Sequence, residues 1–360
     1  MASESKVFSW EGISRFRQEI MGVAILLVLV RHCDTFQWGA LQPYVKHLVN
    51  PCAAGVDILL FVSGVGLYFS LCRNPAVLPF YGRRFMRLVP EYLVIAGLSY
   101  ALMDVLCNIR GGVVIWLIQL SAVRATFVPG SGENETLWYI LFIVFMYFLY
   151  PAIHFLFHRQ GRARAVSFWL IFLASVFGQV FLLAFWPELY TRFSVEKPIS
   201  RIPIFILGAY MGQAVKEGRK SPVLIIPLLF FLFLGLRAAK IVLLGHDELY
   251  GQLLVRTANQ SLGMAVMLMA AWCMGRLRAD GGIIRTALAW CGRSSLELYL
   301  FHSFLFTLWL ALPHPLPKGW PVYFLVIIPL SVLLSILTGW IKGLLRRRTP
   351  LPGRSEPPRP

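Results

Sequence analysis

The sequence predicts an all-α polytopic membrane protein of about ten transmembrane helices, with the N-terminus and C-terminus both cytoplasmic. Three observations carry this. Hydrophobic residues make up 58% of the 360 residues and charged residues only 14%, more apolar surface than a soluble fold can cover. The apolar residues fall into ten runs of roughly 17–25 residues, each long enough to cross ~30 Å of hydrocarbon. Most of the 34 Lys and Arg residues then fall on one side of the spans if the N-terminus is placed inside, as Arg83, Arg84, Arg159, Arg162, Lys216, Arg219, Arg276 and Arg285 do. That is the positive-inside pattern, and it requires an even number of spans.

The first span, near 17–36, follows a polar stretch without a small-residue cleavage site, so it is expected to stay as an uncleaved anchor. The second, 53–72, returns inward. The third, 88–107, is preceded by the basic run Arg83-Arg84-Phe85-Met86-Arg87. The apolar stretch 112–122 is too short to span and is expected to lie in the interface or to re-enter. Trp138 opens the fourth span, 137–157, and 165–185 is the fifth. The sixth, 201–216, carries Pro203, Gly208 and Gly212 and is expected to be tilted or broken. The seventh and eighth are 222–243 and 254–274. Ser294 can cap the ninth, 294–312, and 322–344 is the tenth. Residues 1–345 thus read as one transmembrane domain. Residues 346–360 read as a basic, Pro-rich cytoplasmic tail held by anionic lipid.

A net charge of +17 invites a nucleic-acid reading. Its sorting to one face argues for topology and lipid contact instead, and no nucleic-acid partner is expected. The six cysteines show no CxxC spacing, so neither a disulfide framework nor a metal site is expected. Cys33 and Cys52, both near the outer face, could pair.

Three constellations can carry chemistry. His32 and Asp57 fall at a similar depth near the outer ends of the first two spans. A carboxylate that orients an imidazole makes it a general base for a hydroxyl; the alternative is a buried polar pair joining two helices. Arg84 and Arg87, with Arg83 beside them, are one helical turn apart. Guanidinium forks match phosphate oxygens; the alternative is an ordinary basic loop. Glu297 and His302 share the ninth span, where ionisable groups are costly; inter-helical hydrogen bonds are the alternative. Trp138 is either an interface anchor or a sugar-stacking platform, and Arg201 opens the sixth span.

Six segments in order resemble one family, the integral-membrane acyltransferase-3 family of O-acyltransferases. They are Gly22 to His32, Gly55-Val56-Asp57 onward to Leu67, Phe80 to Pro90, Leu137-Trp138-Tyr139-Ile140 with Tyr150-Pro151, Arg201 to Gly212, and Ser295 to His302. The resemblance implies a ten-helix enzyme without a tightly bound cofactor. It implies an acyl group, acetyl as the commonest, taken from cytoplasmic acyl-CoA (acetyl-CoA) as donor co-substrate. The group would go to a hydroxyl of a carbohydrate or glycan acceptor at the outer face. The family's essential first-span His maps to His32, and its arginine pair maps to Arg84 and Arg87. Glu297 and His302 would line the passage, with Trp138 and Arg201 as further substrate-binding candidates.

One position departs from the pattern: the family commonly has Arg eleven residues before the His, where this chain has Met21. Arg17, one turn earlier, is placed to substitute. The chain shows no appended hydrolase-like domain and is expected to act alone or with a separate extracellular transfer partner, in a bacterial inner membrane on family grounds. Two other readings stay open. One is a transporter or flippase of a glycan or small anion, since buried His, Glu and Asp also suit proton coupling. The other is a family member that kept the fold and lost catalysis.

Overall fold

In hydrocarbon every backbone N–H and C=O must be bonded within its own segment, and the apolar runs of this chain fold accordingly. A computed structural model describes residues 7–107, 117, 120, 138–159, 161–192, 195–245, 248–277, 282–312 and 317–348. The elements in order are β1 (Val7–Ser9), α1 (Glu11–Arg15), α2 (Arg17–Arg31), α3 (Gln42–Val49), α4 (Ala54–Arg73) and α5 (Val77–Cys107). Then come α6 (Trp138–Phe157), α7 (Gly161–Phe185), α8 (Pro187–Arg192), α9 (Glu196–Ile199), α10 (Ile202–Lys216) and β2 (Lys220–Pro222). The last are α11 (Ile225–Ala239), α12 (Glu248–Met274), α13 (Gly282–Arg293), α14 (Ser295–Ala311), α15 (Trp320–Val322) and α16 (Ile328–Arg348).

Six helical stretches among the described residues are long and apolar enough to cross a membrane: Gly39–Arg73, Val77–Leu102, Trp138–Phe157, Gly161–Phe185, Ile225–Leu244 and Trp320–Leu344. The other four predicted spans are helical too, but differ in kind. Helices α2, α10 and α14 have 15, 15 and 17 residues. Helix α12 has 27 residues and carries Arg256, Asn259 and Gln260. These four lie inside the bundle, where neighbouring helices replace lipid and an apolar surface all round is not needed.

Close crossings hold this interior. An added Cβ at Gly208 would lie 2.2 Å from the Phe61 carbonyl oxygen, and one at Gly64 would lie 2.6 Å from that of Phe205. Only glycine therefore lets α4 and α10 pack backbone to backbone. The same holds between α2 and α13, where Gly292 and Gly22 would place a Cβ 1.8 Å from the Gln18 oxygen and 2.0 Å from the Leu288 oxygen.

Two elements depart from the expected pattern. Helix α13 occupies a stretch expected to be a basic loop; its apolar side packs on α2, and Arg285 Nε bonds Glu19 Oε1 at 2.8 Å. The fold is also not purely helical: β1 pairs antiparallel with β2, which ties the segment before α2 to the segment after α10. Gln37 bridges Gly319 at the other end of α2. These two backbone pairings mark the two ends of the bundle. Cys33 and Cys52 are free thiols rather than a disulfide. Residues 349–360 of the predicted tail, and most of the stretch 112–122, lie outside the described residues.

Candidate functional site

Helix α5 begins at Val77, a full three turns before the expected start of the third span, so the basic run is helical. That puts Arg84 and Arg87 on one face of α5, turned toward α2 and α4. Arg84 Nη2 donates to the Gly66 carbonyl at 3.4 Å, and its guanidinium carbon sits 5.6 Å from the Phe80 ring centre. The Arg17 guanidinium approaches the same spot: a Cβ on Gly66 would lie 3.6 Å from its Nη2. Three guanidinium groups thus converge around one glycine of α4. Among the described residues none of the three has a carboxylate partner, and the buried Nε atoms of Arg17 and Arg84 have no hydrogen-bond acceptor.

These arginines end a cavity of about 100 Å³. Arg17, Met21 and Val28 line it from α2, and Ser63 and Gly66 from α4. Tyr139 and Tyr147 line it from α6, and Ser295 and Tyr299 from α14. Wider vestibules of about 620 and 280 Å³ share Arg84 and Arg87 with it; Arg83 opens onto the first and Arg17 onto the second. From Arg17 to Val28 is eleven residues of α2, roughly 16 Å along the axis. His32 lies one turn beyond Val28.

His32 stands where α2 ends and a 3-10 turn begins. Its ring centre is 5.1 Å from that of His302 and 5.4 Å from that of Phe306, on which it stacks. His302 is fully buried. Its Nδ1 lies 3.0 Å from the Tyr299 carbonyl, a bond that requires the proton on Nδ1 and leaves the lone pair on Nε2. That Nε2 has no partner among the described residues. Tyr323, within a π-helical segment, donates its hydroxyl to the Leu29 carbonyl at 2.5 Å, fixing the turn that carries His32.

Two expected roles are corrected. Asp57 does not orient His32: it faces Arg201, with Oδ1 3.5 Å from Arg201 Nε. A buried carboxylate needs a cation more than it needs an imidazole. Arg201 also lies over the Trp138 ring at 4.8 Å, which makes Trp138 part of this buried cluster rather than an interface anchor. Glu297 does not line the cavity: it projects from another face of α14 than Ser295 and Tyr299, and Lys342 Nζ holds it at 2.8 Å and Glu91 at 2.6 Å. His302, for its part, lies one turn beyond the cavity's Tyr299.

The residues that sequence reasoning passed over are Tyr139, Tyr147, Tyr299 and Tyr323. The first two, with Ile143 between them, follow an i, i+4, i+8 spacing that marks one helix face. Tyr299 is three residues before His302. Tyr323 left no local signal, because its partner is 294 residues away.

No curated protein and no solved structure matches the chain. The family model described as an acyltransferase domain, that of the acyltransferase-3 family, matches residues 22–340. The match takes in His32, Arg84, Arg87 and His302 and begins just after Arg17. The chain belongs to the acyltransferase-3 family.

Proposed function

We propose that this protein is a membrane O-acyltransferase that moves an acyl group, acetyl as the first expectation, from acyl-CoA on the arginine side to a hydroxyl of a glycan on the His32 side. Ten spans, with both termini cytoplasmic and in a bacterial inner membrane, is the topology that goes with it. The observation that carries the reading is a cavity with three guanidinium groups at one end that lack a carboxylate partner among the described residues, and two imidazoles one turn past the other. A pantetheine arm reaches roughly 15–20 Å at full extension. That matches the roughly 16 Å of α2 between Arg17 and Val28.

The donor's phosphates would take the guanidinium forks. The thioester would come up toward His32 through the tyrosine-lined cavity. His32 removes the acceptor hydroxyl's proton as its oxygen attacks the thioester carbonyl. The carbon–sulfur bond then breaks, the ester forms, and coenzyme A leaves as thiolate toward the arginine side. The His302 ring packs beside that of His32, their centres 5.1 Å apart, and Phe306 stacks on His32.

A positioned general base contributes about 10²–10⁴-fold. Label from [acetyl-¹⁴C]acetyl-CoA is therefore expected in the glycan fraction of membranes carrying the wild type. With His32→Ala it should fall by at least about 10²-fold. Full transfer by a well-folded His32→Ala protein would overturn the mechanism.

A further inference from the structure

A second basic pocket lies on the opposite side of α4 from the arginine cavity, and the acyl-transfer reading leaves it unused. Its volume is about 470 Å³, and it sits where α6 turns into α7, against α10. His158, Arg159, Gly161, Arg164, Tyr210 and Arg219 are among its lining residues.

Arg164 is the built part of this pocket. It is only 9% exposed. Its guanidinium lies 4.3 Å over the Tyr210 ring, and that ring is stacked at 4.2 Å on Phe168 behind it. Arg164 Nη2 donates to the Tyr210 carbonyl at 2.5 Å, yet its buried Nε has no acceptor among the described residues. The side chain is thus fixed in place with part of its donor capacity unspent.

Around it stand Arg159 and Arg219, both exposed. Glu217 neutralises part of this charge, with Oε2 2.7 Å from Arg219 Nε. The first turn of α7 also opens here through Gly161, and a helix N-terminus favours an anion.

What flanks the pocket identifies the ligand. Phe155 is 68% exposed, with the Arg159 guanidinium 5.7 Å from its ring centre, and Trp169, 54% exposed, packs edge-on against the Phe168 ring that backs Tyr210. A free phosphate has no use for such a wall, whereas a phospholipid does. We propose that this pocket binds a phosphate-ester headgroup, that its occupant is an anionic phospholipid, and that the lipid's acyl chains run along Phe155 and Trp169. Basic pockets between transmembrane helices suit this chemistry.

The test titrates delipidated full-length protein, in an uncharged detergent, with dioleoyl phosphatidylglycerol, dioleoyl phosphatidylcholine and inorganic phosphate. Bound species are counted by native mass spectrometry, and acetyl-CoA binding is measured on the same samples. The wild type should hold phosphatidylglycerol at least about tenfold more tightly than phosphatidylcholine. Arg159→Gln/Arg219→Gln, which alters only the exposed rim, should erase most of that preference, and Arg164→Gln should erase the rest. Acetyl-CoA binding should not change in the rim variant.

Equal affinity for the two lipids would overturn the proposal, as would an unchanged preference in the rim variant. Inorganic phosphate held without a lipid preference would overturn the lipid assignment. Loss of acetyl-CoA binding in the rim variant would show that the pocket belongs to the donor site instead.

Discussion

Two charge clusters, one near each end of α2, handle buried charge in opposite ways. At the His32 end the acids near Arg201 are matched: Asp57 faces Arg201 at 3.5 Å, and Glu196 takes Arg256 through both oxygens at 2.5 and 3.1 Å. At the other end Arg17, Arg84 and Arg87 crowd around Gly66 without a carboxylate partner among the described residues. Like charges gathered in a low dielectric repel, so such a cluster costs stability unless an anion joins it. Matched charges are architecture. Unmatched ones, beside a cavity, have the form of a ligand site.

Unpairing the matched end should have the largest effect. Arg201→Met removes the ion-pair partner of buried Asp57 and should cost about 3–5 kcal/mol, read as a large drop in thermal unfolding temperature in detergent. Adding Asp57→Asn should recover most of it. If Arg201→Met is as stable as wild type but inactive, that end is a substrate site rather than architecture.

The arginine end should behave in the opposite sense. Arg17→Ala removes a charge whose company is repulsive, so stability should hold or rise. Acetyl-CoA affinity should fall by roughly tenfold or more, the worth of about 1.5–3 kcal/mol for a hydrogen bond to a charged group. Arg17→Ala/Met21→Arg should regain affinity, since Met21 lines the same cavity one turn on. Failure of that rescue would mean Arg17 does not stand in for the family's usual arginine.

The smallest effect sharpens the comparison at His32. Tyr323→Phe removes one hydroxyl from the Leu29 carbonyl, worth about 1 kcal/mol. It should lower kcat several-fold and leave KM for acetyl-CoA unchanged. A purely structural role would lower the thermal unfolding temperature without that split.

Much of this was legible from the sequence because local rules govern it. The helical spans follow from apolar runs, and Arg84 and Arg87 share a face because they are i and i+3 on a helix. What could not be read are pairings across the chain. Asp57 and His32 sit at similar depths, but depth along a span says nothing of rotation about its axis, and Asp57 turns to Arg201 instead. Glu297 lies in the helix that the apolar run predicts, but its partner Lys342 is on α16, beyond any local pattern. Helix α13 was hidden because its charges resemble those of a basic loop, while its packing on α2 depends on Gly22 and Gly292 meeting backbone.

If the unmatched arginines hold the donor, their removal must weaken its binding. Equilibrium binding of acetyl-CoA to purified wild type, beside Arg84→Ala/Arg87→Ala, tests this most directly. Saturable binding by the wild type is expected, with a loss of at least about a hundredfold in the variant, two charged hydrogen-bonding groups being removed. Equal binding by both proteins, or none by a folded wild type, would contradict it.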